Sequence, residues 1–379
     1  MVHIGPVHPN RFFSKTVIPM KILHITNSLS EGGVESFLLQ LLSQLVQQRY
    51  EVDVLVLNKN KTVLRPEFEK YGIRIFTGPT GSPYSPVNIC CIRKYITDYD
   101  IVHVHLWPAQ LWVAAASLGK YSSTRCMTTE HGNFNKRRQY RFYRPVEQWM
   151  YGRYRTIVGI SDTSRNNLLG WIKHRMVMSI PNGIDLSKFS GVPPYSKNEL
   201  ELPNDAIVVT MVARFFGQKD HSTLIRAMMH TSANVYLLLV GSGETMSACK
   251  EKVRTFGLEN RIRFLGRRTD VPRIIASSDI CVLSTHYEGL PISVLEYMAA
   301  GKPVIVTNVD GIQELMPDPY WTVAPQNAEE LGRKIIELSS DKILRERVAA
   351  SNQKRAADYD LNIMVGKYIC AYQSLIGNK

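Results

Sequence analysis

The chain has 379 residues, 44% hydrophobic and 21% charged, with a formal net charge of +13. That length suits two α/β domains with separate cores, and the composition excludes a mainly disordered chain. No run approaches the roughly 18 apolar residues of a membrane-spanning helix, and the six cysteines show neither CxxC nor zinc spacing.

Residues 1–19 lack the continuous apolar core of a secretory signal and read as a disordered tail, with Met20 a candidate first residue. KILHIT (21–26) then reads as a strand and NSLSEGG as a loop. Val34, Phe37, Leu38, Leu41, Leu42, Leu45 and Val46 follow helical spacing and form one apolar stripe. EVDVLVL (51–57) completes a βαβ unit, the building block of parallel sheets. IRIFTG (73–78), IVHVHL (101–106), TRCMTTEH (124–131) and TIVGIS (156–161) continue the pattern. SGVPPYSKNELELPND is polar and Pro-rich, which predicts a linker and a boundary near 190–205. AIVVTMVAR (206–214), VYLLLVGSG (235–243), RIRFLG (261–266), ICVLST (280–285) and PVIVTN (303–308) start a second strand–helix series. From about 326 the chain reads as helical, with a break around Tyr359–Leu361.

Charge divides unevenly between these halves. Residues 1–190 carry 24 Lys+Arg against 12 Asp+Glu (+12), and residues 191–379 carry 22 against 21 (+1). The basic excess therefore serves the first half's partner. It is densest in 131–155, which holds seven Lys/Arg and one acidic residue among Tyr, Phe and Trp. Such a segment suits an anionic membrane surface, and equally a solvated helix. Nucleic acid is not the expected partner, because no recognisable binding module accompanies the charge.

Ligands of open parallel sheets bind at the carboxyl ends of strands. Gly32-Gly33 precedes the stripe helix and offers either a phosphate loop or a plain tight turn. Alternation sets His103 and His105 on one face of their strand, while His131 sits at a strand end beside Gly132 and favours a ligand contact. Arg214 and Lys219, five residues apart after a strand, suit a diphosphate. Glu288 precedes the turn Gly289–Pro291, which opens a helix whose first amides favour an anion. Glu296 follows about two turns later. Two carboxylates flanking an anion site make sense if one binds sugar hydroxyls and the other a ribose. Asp98-Tyr99-Asp100 precedes its strand, away from the ligand rim, and reads as a turn rather than a metal motif.

The motifs GGVES (32–36), TEHG (129–132), VGISD (158–162), IPNGID (180–185), VARFFGQKD (212–220), LLVGSGE (238–244) and EGLPISVLEYMAAGKPVI (288–305) occur in order. With them the chain resembles a family 4 retaining glycosyltransferase of the GT-B fold, over residues 20 to about 315. The resemblance implies two Rossmann-like doubly wound parallel-sheet domains facing across a cleft. These are a 20–190 acceptor-side domain, a 191–358 nucleotide-sugar domain, and a 359–379 helix returning to the first. It implies catalytic roles for His131, Arg214, Lys219 and Glu288. Donor contacts would come from Gly32, Gly33, Gly241, Leu290, Pro291, Ile292 and Glu296, with His105 toward the acceptor. A UDP- or GDP-sugar donor, a lipid-linked or saccharide acceptor, and neither metal nor other cofactor are expected. So are a cytoplasmic location, which free thiols fit, and membrane contact through 136–155. Two departures stand out: Ala213 where many members have Gly, and Val309-Asp310-Gly311 where a glycine pair is common. The alternative is a sugar-nucleotide epimerase of the same fold.

Overall fold

The computed structural model describes residues 20–30, 32–121, 124–133 and 135–377; the expected tail at 1–19 lies outside them. Among these residues, two all-parallel sheets account for every named strand. The first contains β1 (Lys21–Thr26), β2 (Glu51–Val56), β3 (Arg74–Thr77), β4 (Ile101–His105), β5 (Cys126–Glu130), β6 (Thr156–Gly159) and β7 (Val177–Ser179), in the order β3-β2-β1-β4-β5-β6-β7. The second contains β8 (Ile207–Val212), β9 (Val235–Val240), β10 (Ile262–Gly266), β11 (Ile280–Leu283), β12 (Val304–Thr307) and β13 (Thr322–Val323), in the order β10-β9-β8-β11-β12-β13.

Both orders reverse direction beside their first strand, between β1 and β4 and between β8 and β11. Loops leaving those strands part in opposite directions, so each sheet has a crevice at its switch point. The central strands are buried on both faces because helices cover both sides, although in the first sheet they also carry the buried polar residues His24, His103, His105 and Thr129. In the helix Gly33–Gln47, Phe37, Leu38, Leu41, Leu42 and Leu45 are buried in the first core, as the stripe predicts.

The helical tail differs in detail from its sequence reading. Besides the break near Tyr359, it interrupts at Asp341, which ends Ala328–Ser340 and caps Lys342–Ala356 by accepting from Leu344 N at 2.9 Å. One short polar side chain thus stops one helix and starts the next. The last helix, Leu361–Gly377, buries Leu361, Met364, Val365, Tyr368, Ala371, Tyr372 and Leu375 in the core of the first sheet. Its entry is pinned where Ile184 N donates to Tyr359 O (2.8 Å) and Leu361 N to Ile184 O (2.9 Å). Strands β7 and β13, of three and two residues, are too short for periodicity to reveal.

Candidate active site between the two domains

The second-domain wall is built from the loops after β8, β9 and β11. After β8 the chain turns through Ala213–Lys219 into the helix His221–Ala227, which Asp220 caps by accepting from Thr223 N at 3.0 Å. Gly241 closes the loop after β9 from beneath. Its φ is +137°, and a Cβ there would lie 2.0 Å from Ala213 O, so only glycine fits. Lys219 Nζ donates to Glu288 Oε1, which also accepts from Thr285 Oγ1 at 2.8 Å. This ion pair is largely buried, with side-chain exposures of 18% and 7%. Removing either partner would strand the other charge in a poorly solvated place. Both bonds fall on Oε1, and Oε2 has no hydrogen bond among the described residues.

The helix Ile292–Ala299 begins at Pro291, whose backbone is extended and whose side chain offers no cap. Among the described residues the amides of Ile292 and Ser293 have no partner, so they present donors to whatever anion approaches. Glu296, on the same helix, is half-buried, and burial pushes its carboxyl up to about 7 against a small opposing pull from Lys188. The carboxylate accepts no hydrogen bond among the described residues, so it has acceptor capacity to spare.

The first-domain wall is different in kind. Gly33 leaves open space around its missing Cβ, while a Cβ on Gly32 would lie 2.6 Å from Glu35 Oε2. Glu35 thus occupies the first turn of the stripe helix and partly offsets that terminus's attraction for an anion. Burial raises its carboxyl above the usual range, while its own backbone amide, Ser28 and the Arg214 guanidinium draw it back. Arg214 itself is exposed, with its guanidinium 5.9 Å from the Phe216 ring centre.

Behind this rim lies a histidine cluster. His131 Nε2 is 2.9 Å from His105 Nδ1, and His105 Nε2 is 3.0 Å from His24 Nδ1. His103 bonds Tyr372 Oη (2.7 Å) and Thr129 Oγ1 (2.8 Å), so the final helix reaches under the site. Burial lowers the His131 and His24 pKa values to about 3 and also depresses His103 and His105. All four imidazoles are neutral at physiological pH.

The two walls touch. A Cβ on Gly289 would lie 2.9 Å from His131 O and 3.4 Å from Gly132 Cα, and Asn133 Nδ2 donates to Gly289 O at 3.1 Å. Gly311, at φ +83°, packs so tightly that a Cβ would fall 1.8 Å from Gly289 O. The single glycine at 311 therefore serves both a left-handed backbone and a close approach. Glu314 spans the interface: it accepts from Asp162 N (3.0 Å), Thr163 N (2.6 Å) and Thr163 Oγ1, capping the first-domain helix Asp162–Trp171.

Of the expected site residues, Lys219 and Glu288 form one buried pair, Arg214 acts on Glu35, and the Glu288–Leu290 loop lies against His131. Gly241, Pro291, Ile292 and Glu296 lie on the second wall, Gly32 and Gly33 on the first. One expectation needs correction: His105 is fully buried with both ring nitrogens engaged, so it does not reach an acceptor. Strand alternation fixes the face a residue points to, not whether that face is open. The basic stretch also shrinks. Arg137 and Arg138 turn inward onto fully buried Glu147, at 2.9 and 3.3 Å. Exposed Tyr140, Phe142, Val146 and Trp149 remain beside Arg141, Arg144, Arg153 and Arg155. Glu35, Asn133, His24 and Glu314 escaped the sequence reading, though E in GGVES and the N two residues after TEH stood within or beside motifs.

Comparison with known proteins fixes the class. Residues 31–188 match the family model described as Glycosyltransferase Family 4, and residues 194–355 match Glycosyl transferases group 1. The chain is 25% identical, over 74% of its length and 77% of the relative's, to an Escherichia coli UDP-Gal:alpha-D-GlcNAc-diphosphoundecaprenol alpha-1,3-galactosyltransferase. It is also 25% identical, over 91% of its length and 93% of the relative's, to the phosphatidyl-myo-inositol mannosyltransferase of Mycobacterium leprae. The crystal structure of Anabaena HepE in complex with UDP and glucose superposes with a TM-score of 0.82, covering 94% of this chain and 99% of that one at 20% identity. The chain belongs to the family 4 glycosyltransferases and has the GT-B fold. It is a glycosyltransferase, and the epimerase alternative finds no relative among these.

Proposed function

We propose that the cleft binds a UDP- or GDP-sugar and transfers its sugar with retention, without a metal, to a lipid-linked or saccharide acceptor in surface polysaccharide or glycolipid synthesis. The observation that carries this reading is that the Lys219–Glu288 pair sits at the loop that opens the helix Ile292–Ala299 and packs against His131, while Arg214 acts across on Glu35 of the first wall. Arg214, Lys219 and the amides of Ile292 and Ser293 would hold the diphosphate, with Leu290 and Pro291 shaping the turn and Gly241 the floor. Glu296 would accept from ribose hydroxyls, and Glu288 Oε2 and His131 would meet the sugar. As the anomeric C1–O bond breaks, its electron pair leaves with the diphosphate, and the fixed positive charges stabilise that oxygen. The acceptor hydroxyl attacks C1 from the same face, and its proton passes to the departing phosphate oxygen.

Supporting an acceptor at a membrane, the E. coli relative is named for a diphosphoundecaprenol substrate and the mycobacterial one for phosphatidyl-myo-inositol. None of the described helices is long and apolar enough to cross a membrane, so the exposed aromatics and arginines of 140–155 would provide peripheral contact at the cytoplasmic face. A thermal-shift panel of UDP-, GDP- and ADP-sugars, with and without a chelator, tests the donor reading. A ligand at 100 times its Kd adds about 2.7 kcal/mol of stability. No shift with any sugar nucleotide would end this reading, and a shift or turnover abolished by chelator would end its metal-free part.

A further inference from the structure

Three imidazoles run in single file from the dry core to the cleft: His24, His105 and His131, joined by contacts of 3.0 and 2.9 Å. A neutral imidazole carries one N–H and one lone pair. Each ring in such a file must therefore donate on one side and accept on the other, and the file has only two possible polarities. Its inner end chooses between them. His24 Nε2 is buried and has no partner among the described residues. Orphaned buried N–H groups are rarer than under-satisfied acceptors, so His24 Nε2 carries the lone pair and His24 Nδ1 the proton. His24 then donates to His105 Nε2, His105 Nδ1–H donates to His131 Nε2, and His131 must carry its proton on Nδ1.

We infer that His105, with His24 behind it, is a positioning residue that locks His131 in the Nδ1–H tautomer and so presents an N–H donor to the sugar. Phe37 helps hold the ring, its centroid 5.0 Å from that of His131 at an interplanar angle of 68°. The closeness of His24, His103 and His105 also resembles a metal cluster. Both nitrogens of His103 and His105 are already hydrogen-bonded, however, so a metal would have to break that network. The sugar end of this inference rests on the donor-site reading above; the tautomer does not.

The test uses the full chain with 15N-labelled histidine. Two-bond 1H–15N correlations distinguish Nδ1–H from Nε2–H, and His131→Gln identifies the His131 signals. The wild type should show His131 protonated on Nδ1; protonation on Nε2 overturns the inference. His105→Leu removes the donor, whereas His105→Asn keeps an N–H where Nδ1 stood. In the Leu variant the His131 proton should redistribute, and kcat/KM for the sugar nucleotide should fall roughly threefold to tenfold. Affinity for the nucleoside diphosphate alone should hold, and Asn should restore both readouts. Equal losses for the diphosphate with and without sugar would contradict the proposed role. If no variant and not the wild type binds nucleotide, the donor-site reading fails while the spectrum still decides the tautomer. Should the Leu variant not fold, the wild-type and Asn spectra decide alone.

Discussion

The two walls of the cleft use the same parallel-sheet architecture for opposite purposes. The second-domain wall carries charged side chains: Arg214 exposed, Lys219 against Glu288, and Glu296 without a hydrogen-bond partner among the described residues. The first-domain wall presents His131 as the outer end of a buried file of neutral histidines, braced by a helix from the chain's far end. On the proposed reading, charge neutralisation falls to one domain and shape to the other. The proposed site is complete only where the two walls meet, at Gly289, His131 and Asn133.

The largest effects should come from breaking the charged wall. Lys219→Ala and Arg214→Ala should each lower turnover by roughly two orders of magnitude, measured with saturating donor. Lys219→Ala should also lower the melting temperature, because Glu288 is left buried without its cation. Arg214 is exposed and is the weakest of the influences on Glu35, so its loss should change stability far less than that of Lys219.

The meeting of the walls comes next. Gly311→Val places a branched side chain at φ +83° and against Gly289 O. It should cost at least about 1–2 kcal/mol from the backbone alone and enlarge the scattering radius as the domains part. Glu314→Gln keeps the shape but removes the charge capping Asp162–Trp171, a loss of roughly 0.3–1 kcal/mol in domain closure. Small-angle scattering with and without nucleotide reads both.

Glu296 sharpens the contrast through pH. Its folded carboxyl stands near 7 against an ordinary value of 4.5. A raised carboxyl pKa means the folded state holds the proton longer. Its stabilising effect is complete below pH 4.5 and disappears as pH rises toward 7. Glu296→Gln should therefore stabilise the ligand-free protein at pH 8, by on the order of 1 kcal/mol after discounting for partial solvent contact. It should do little at pH 4.5, and should weaken nucleotide binding at pH 8. Urea melts at the two pH values and a nucleotide titration check each half of this statement.

The smallest effect concerns the rim. Phe142→Ser and Trp149→Ser should reduce retention on anionic vesicles severalfold at low salt without changing turnover of a water-soluble acceptor.

How much of this was legible depended on the distance over which each feature is encoded. Strand and helix order follows from local periodicity, and the loops at strand ends follow from it in turn. Glu288, Glu296, Arg214 and Lys219 could be singled out as candidates because their neighbours set the turn and helix that hold them. His105 could not be placed correctly, since the rings that cover it, His24 and Phe37 among them, arrive from other elements, His24 from 81 residues away. Glu314 was invisible for the same reason: its partners are the amides of Asp162 and Thr163, some 150 residues distant. The seven basic residues of 131–155 were counted correctly, yet no count reveals that Arg137 and Arg138 face inward.

The division of labour is tested most directly by calorimetric titration of UDP and GDP into the wild type, Arg214→Ala, Lys219→Ala and His131→Ala. The two second-wall variants should lose at least tenfold in affinity, while His131→Ala binds the free diphosphate as the wild type does. Equal weakening in all three, or none in any, would contradict the assignment of diphosphate binding to the second domain.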